Sequence, residues 1–271
     1  MSPASKEHLI AELKARIVGH TPVAGRITPV FSLGVPEIDG VLPEGGMKRG
    51  ALHEVAAAAY RDMGAATGFL ASLAVCVSRH STLPVLWCET VRPPFDMGRL
   101  YGPGLSAFGL EPQRIVLALP PGDADCLWVM EEALHSHAFA AVIGELDGRS
   151  SALNLTATRR LQLAAEASGT PVLLFTGHAK EGASVAVTRW RVASVPSAVL
   201  SHVEEKEMLP GAARWHVALT RSRGGQSGSW LVGWNTMEVA FSAVAWTADA
   251  SSERNVAPLH DPAVIPFRQT A

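Results

Sequence analysis

The sequence has little cysteine, little lysine, few aromatic residues and no excess charge of either sign, and each shortage removes a class of function. Cys76, Cys88 and Cys126 are odd in number, widely spaced and set in apolar runs. No CxxC pair offers a zinc or dithiol site, so the expected state is three reduced core thiols of a cytosolic protein. A formal net charge of -2 supplies no global field for nucleic acid or an anionic membrane, and any DNA contact has to come from a local patch. The longest apolar stretch, residues 65 to 77, is too short to span a bilayer, and the first residues lack the basic-then-apolar pattern of an export signal. These shortages point to a soluble cytoplasmic protein without a metal site. What is abundant is apolar surface: 48% of 271 residues is enough for a large packed core.

The chain divides by pattern. Residues 1–18 are expected to form an amphipathic helix, with Leu9, Leu13 and Ile17 at four-residue spacing and Lys6, Glu12, Lys14 and Arg16 elsewhere on its surface. Residues 19–30, punctuated by Pro22, Gly25 and Pro29, read as a linker. Between residues 31 and 246 short apolar runs (LHEV, PVLWC, RIVLAL, FAAVIG, PVLLF) alternate with helix candidates at 63–80, 95–108, 124–137 and about 153–168. Continuous apolar runs suit strands buried on both faces, so the expected class is α/β, a mostly parallel sheet with helices on both faces. TRWRVASV, RWHVALTR and SWLVGWN show partial alternation and are expected to extend one edge as antiparallel strands. Residues 247–271, rich in Ala, Ser, Pro and charge, read as a flexible tail.

The segment FSLGVPEIDGVLPEGGMKRGALHEV joins an apolar element, a Gly turn, the pair Ile38-Asp39, a double-Gly loop and a strand. It resembles the leader of the RecA recombinase superfamily, in which such a strand feeds a phosphate-binding loop. A working loop would then read GxxxxGK[ST], with glycines for backbone approach to phosphate, a lysine for charge and a hydroxyl for magnesium. This chain has AAAAYRDMGAATG instead. Gly64 can stand for the second glycine, Ala65 and Ala66 replace the lysine and the hydroxyl residue, and Arg61 and Thr67 are the candidate substitutes. Losing charge, hydroxyl and the first glycine together removes most of what holds nucleotide and magnesium. The resemblance places Glu145 near the family's metal-directing acid, with Asp147 close by, and Glu89 near its water-activating glutamate. Relic of a nucleotide site or solvent-facing acids at strand ends are the two readings, and both leave the chain without a catalytic residue or a cofactor.

The segments expected to carry the long DNA-binding loops of recombinases are abbreviated here to RSSA and TGHAKEGASVAV. With VLWCE, LYGPGLSAFGLEPQRIVLAL and TRWRV, this pattern resembles the ImuA family of bacterial damage-inducible mutagenesis proteins, which look like truncated RecA relatives. The resemblance implies a RecA-like core and a non-catalytic adaptor in SOS mutagenesis, in the bacterial cytoplasm and on the nucleoid after damage. Implied partners are an ImuB-like Y-family protein, RecA and an error-prone DnaE-type polymerase in translesion synthesis. Leu9, Leu13 and Ile17 then either anchor a partner groove or pack back on the chain's own core. Arg189, Arg191, Arg214, Arg221 and Arg223, interleaved with tryptophans, either contact single-stranded DNA or form a charged solvent face over core tryptophans. A SulA-type division inhibitor binding FtsZ and a cryptic ATPase using Arg61, Thr67 and Glu145 are the alternatives. His53 and Glu54 point to opposite faces of a strand, and His135 and His137 to different faces of a helix, so neither pair makes a catalytic or metal site.

Overall fold

The computed structural model describes residues 29–178, 182–197 and 211–244. The helix expected over 1–18, the linker as far as residue 28 and the tail from 247 lie outside the described residues.

The leader forms strand β1 (Val30–Phe31), a short helix α1 (Pro36–Asp39) and strand β2 (Met47–Lys48), with β1 and β2 paired antiparallel. The Ile38-Asp39 pair explains itself locally. Ile38 is buried in the core, while Asp39 accepts hydrogen bonds from the Leu33 and Gly34 amides and the Ser32 hydroxyl, closing the turn at positive-φ Gly34.

Among the described residues a nine-stranded sheet follows. Its six parallel strands are β3 (Leu52–Ala57), β4 (Val85–Cys88), β5 (Ile115–Ala118), β6 (Ala141–Glu145), β7 (Val172–Phe175) and β8 (Thr188–Ser194). Antiparallel β9 (Arg214–Ser222), β10 (Gly228–Asn235) and β11 (Ala240–Ala243) extend the β8 side, giving the order β11-β10-β9-β8-β3-β7-β6-β4-β5. The sheet class expected from the apolar runs is therefore present, but the edge differs in one strand: TRWRVASV, expected antiparallel, joins β3 in parallel as β8, while RWHVALTR and SWLVGWN form antiparallel β9 and β10 and β11 adds a third.

Helices cover both faces. Helix α2 (Met63–Ser78) lies on one, buried along most of its length because its small and apolar residues leave it no polar stripe. The first half of the region expected as a helix over 95–108 is irregular: only α3 (Gly102–Ala107) forms, since Pro93, Pro94 and Gly98 deny the preceding segment a helical path. Helices α4 (Asp123–Ser136) and α5 (Leu155–Ser168) cover the opposite face, with α5 capped by the Asn154 side chain on the Ala157 amide. Under β8 to β11 the core is aromatic. Trp190, Trp215 and Trp234 are fully buried, and Phe69 of α2 meets Trp215 at 5.9 Å and Phe241 at 5.4 Å between ring centroids. Cys76, Cys88 and Cys126 are buried and free.

At the amino-terminal end of the parallel strands a buried polar chain is fully paired. Trp190 Nε1 donates to Thr188 Oγ1 at 3.0 Å, Thr188 Oγ1 lies 2.7 Å from His53 Nδ1, and His53 Nε2 lies 2.7 Å from the Lys48 carbonyl. One assignment satisfies every atom: the hydroxyl donates to Nδ1 and neutral His53 donates from Nε2 to the carbonyl. Burial pushes His53 down to about 4, which keeps the ring neutral.

Candidate functional site

At the carboxyl ends of the parallel strands, between the first turns of α2 and the irregular segment 91–101, the chain encloses a half-open cavity of about 220 Å³. This is the crevice in which open α/β sheets bind ligands. Gly64 and Thr67 line it from α2, Glu89 follows β4, and Glu145 ends β6. Four of the five residues singled out for a degenerate nucleotide site are thus brought together. Arg61 is exposed and is not part of the lining.

The geometry at the α2 amino terminus is unlike that of a phosphate cradle. The position before the helix is Asp62, a buried acid whose Oδ1 accepts from the Ser194 amide at 3.0 Å and the Ser194 hydroxyl at 2.7 Å, tying α2 to the end of β8. An acid there complements the positive end of the helix dipole that a phosphate would otherwise meet. The Met97 methyl sits 3.8 Å from where a Cβ on Gly64 would lie, so an apolar side chain covers the first turn. Thr67 donates its hydroxyl back to the Met63 carbonyl at 3.2 Å.

The 91–101 segment is pinned at several points. Phe95 packs edge-on to Phe175 at 5.6 Å between centroids and lies directly against Gly177, whose positive φ and lack of a side chain permit the approach. Phe108 lies against Gly68 in the same way, where an added Cβ would come within 2.9 Å of the ring. Arg99 reaches the Val91 carbonyl and places Nη1 3.4 Å from Glu89 Oε1.

Two acids face this apolar enclosure. Glu89 is 1% exposed, and desolvation raises its pKa against the opposing pull of Arg99. Glu145 Oε1 accepts from Trp87 Nε1 at 2.9 Å. Desolvation pushes the Glu145 carboxyl up to about 7, with the Glu89 charge adding to the shift and the Trp87 hydrogen bond opposing it. Asp147, the second acid considered on this strand end, turns away to pair with Arg149 at 2.8 Å, which holds its carboxyl below the usual range. Among the described residues no group of three or more His, Cys, Asp and Glu is placed to hold a metal ion.

The five arginines named from sequence have separate placements. Arg189 opposes Arg221 in the β8–β9 register, but its side chain forms a buried ion pair with Glu54 at 2.6 Å on the α5 side of the sheet. Arg191 Nη1 donates to the Ala57 carbonyl at 3.4 Å and Arg221 Nη1 to the Ser184 carbonyl at 2.9 Å. Arg214 begins β9 half-buried, and Arg223 is exposed in the β9–β10 turn. Trp190 and Trp215 are in the core. Leu9, Leu13 and Ile17 lie outside the described residues.

Reading the sequence missed Phe95, Met97 and Arg99, which line the cavity, Trp87, which holds Glu145, and Asp62, which precedes α2. Asp62 carried a signal: an acid two residues before Gly64 stands inside the turn that would have to surround phosphate.

No family model matches the chain. Protein ImuA of Caulobacter vibrioides, in strains NA1000/CB15N and CB 15, is 34% identical over 224 residues, which cover 76% of this chain and 83% of the relative.

Proposed function

Because the chain belongs to the ImuA family, we propose that it serves damage-induced mutagenesis as a non-catalytic adaptor with a RecA-like core. It supports error-prone translesion synthesis by contact with an ImuB-like Y-family protein and with RecA. The observation that carries the non-catalytic reading is the polarity of the cavity. Where bound nucleotide would need cations and free amides, this chain has Asp62 before α2, Met97 over its first turn and two desolvated glutamates. A triphosphate brought there meets negative charge and an apolar cover. The same arrangement leaves the core intact, since β3 is buried throughout and α2 along most of its length. What the fold retains is surface, on which an adaptor acts.

Among the described residues no helix is long and apolar enough to cross a membrane. The test is a deletion strain complemented with tagged chain, scored for damage-induced mutation frequency and for proteins recovered after damage. Restored mutagenesis with ImuB and RecA in the eluate supports the proposal. Recovery of FtsZ with normal mutagenesis in the deletion strain would sink it.

A further inference from the structure

The cavity at the strand ends encloses two carboxyl groups and one guanidinium, so it is one positive charge short. Glu89 has Arg99. Glu145 receives one hydrogen bond, on Oε1 from Trp87, and among the described residues no hydrogen bond or ion pair reaches its other oxygen. The other walls are largely apolar, with Phe95, Phe108 and Phe175 supplying aromatic surface. At about 220 Å³ the space exceeds the roughly 150 Å³ that admits benzene in an engineered protein cavity.

Each feature selects among ligands. Asp62 and Met97 at the α2 amino terminus disfavour an anion. Two glutamates, one already paired, are too few oxygen ligands for a bare metal ion. An organic cation with apolar bulk matches both the uncompensated acid and the aromatic wall. Guanidinium matches better than ammonium: its planar fork pairs with both oxygens of a carboxylate, it stacks on rings, and its weaker hydration lowers the cost of entering an enclosed site.

We propose that this cavity binds a guanidinium group on an apolar stem, with Glu145 as its counter-ion and Phe95 and Phe108 against the stem. The chemistry is the same whether the group belongs to a free small molecule or to an arginine side chain offered by another protein. The inference concerns the cavity alone and stands apart from the adaptor reading.

The full chain is titrated by calorimetry at pH 7 with three probes: the peptide Ac-Leu-Arg-Leu-NH2, its neutral citrulline isostere, and phenethylguanidine. Two buffers of different ionisation enthalpy are used. The expected result is saturable binding of a guanidinium probe, at least about tenfold weaker binding of the citrulline peptide, and proton release as Glu145 ionises against the bound cation. Glu145→Gln is expected to lower affinity about tenfold or more and to abolish proton release, with its thermal unfolding at pH 8 confirming the fold. Met97→Arg, at the exposed mouth, brings a guanidinium of its own and is expected to weaken probe binding independently. Binding of the peptide alone identifies a protein side chain as the source, and binding of phenethylguanidine alone a free cation; each supports the site. Equal binding of the arginine and citrulline peptides, undiminished affinity in folded Glu145→Gln or in Met97→Arg, or no saturable binding of either guanidinium probe overturns the proposal.

Discussion

His53 and Glu145 are ionisable groups on central parallel strands of one sheet, and burial moves both far from their ordinary range, His53 down to about 4 and Glu145 up to about 7. Their surroundings differ. His53 is the second residue of β3, is fully buried, and has both ring nitrogens paired in a chain running from Trp190 through Thr188 to the Lys48 carbonyl. Glu145 ends β6 in a cavity and, among the described residues, receives a single hydrogen bond, from Trp87. A buried polar group with every partner in place holds the fold together, whereas one kept under-paired at a ligand-sized opening lowers stability and earns an explanation in binding. The amino-terminal end of the sheet is packed and paired; the carboxyl end leaves a carboxyl under-paired beside a cavity.

The largest effect tests the packed end. Thr188→Val keeps the shape of the side chain but strips the Trp190 N–H of its acceptor and His53 Nδ1 of its donor, two buried groups at about 1–3 kcal/mol each. A loss of about 3–5 kcal/mol in denaturant unfolding at pH 7 is expected, and a loss below about 1 kcal/mol would show that the chain is not holding β3 to β8.

Next is the pH dependence of His53. Its native pKa lies below that of an unfolded histidine, so between pH 6.5 and 4 the unfolded chain binds a proton that the native one does not. Stability from this group is complete above the unfolded value and falls as pH drops through that window, by about 3 kcal/mol in all. Unfolding of the Glu145→Gln protein at pH 7 and pH 4 reads this in a background free of the opposing Glu145 titration.

Glu145 has the reverse sign. Its native pKa is raised, so the native chain binds more protons between pH 4.5 and 7, and stability falls as pH rises across that range. Glu145→Gln therefore stabilises by about 2–3 kcal/mol at pH 8 and changes little at pH 4. A stability loss at pH 8 would mean that Glu145 is as well paired as His53 and would erase the contrast. The smallest effect is at Met97, 42% exposed over Gly64: Met97→Ala should cost under about 1 kcal/mol. Its thermal midpoint should barely move.

The sequence made the packed end far easier to read than the open one. Runs such as VLWC, AVIGE and VLLF advertise strands buried on both faces, and β4, β6 and β7 form there. Alternation showed that TRWRVAS is a strand, with Trp190 and Val192 turned inward and Arg189 and Arg191 half-buried, but not that it runs parallel to β3; the antiparallel edge begins one strand later, at β9. Strand β11 is four residues long and β1 and β2 are two each, too short for any period to show. The helix expected over 95–108 fails over 95–101, where Pro93, Pro94 and Gly98 argue against it. That error hid the cavity cover, because Phe95, Met97 and Arg99 acquire meaning only when a loop carries them over α2. Gly64, Thr67, Glu89 and Glu145 were legible because family resemblance fixes their strand and helix ends. The Arg189–Glu54 pair was not, since nothing local in TRWRV or LHEV reports that β3 and β8 are neighbours.

The central claim is that this site has turned from anions towards cations and that the chain acts by contact. Equilibrium titration of the full chain with magnesium-ATP at pH 7 addresses it most directly. The account predicts no saturable binding up to about 1 mM, the level at which association contributes only about 4 kcal/mol. One-site saturation well below that concentration, weakened by lysine-free changes confined to Thr67 or Glu145, would contradict it.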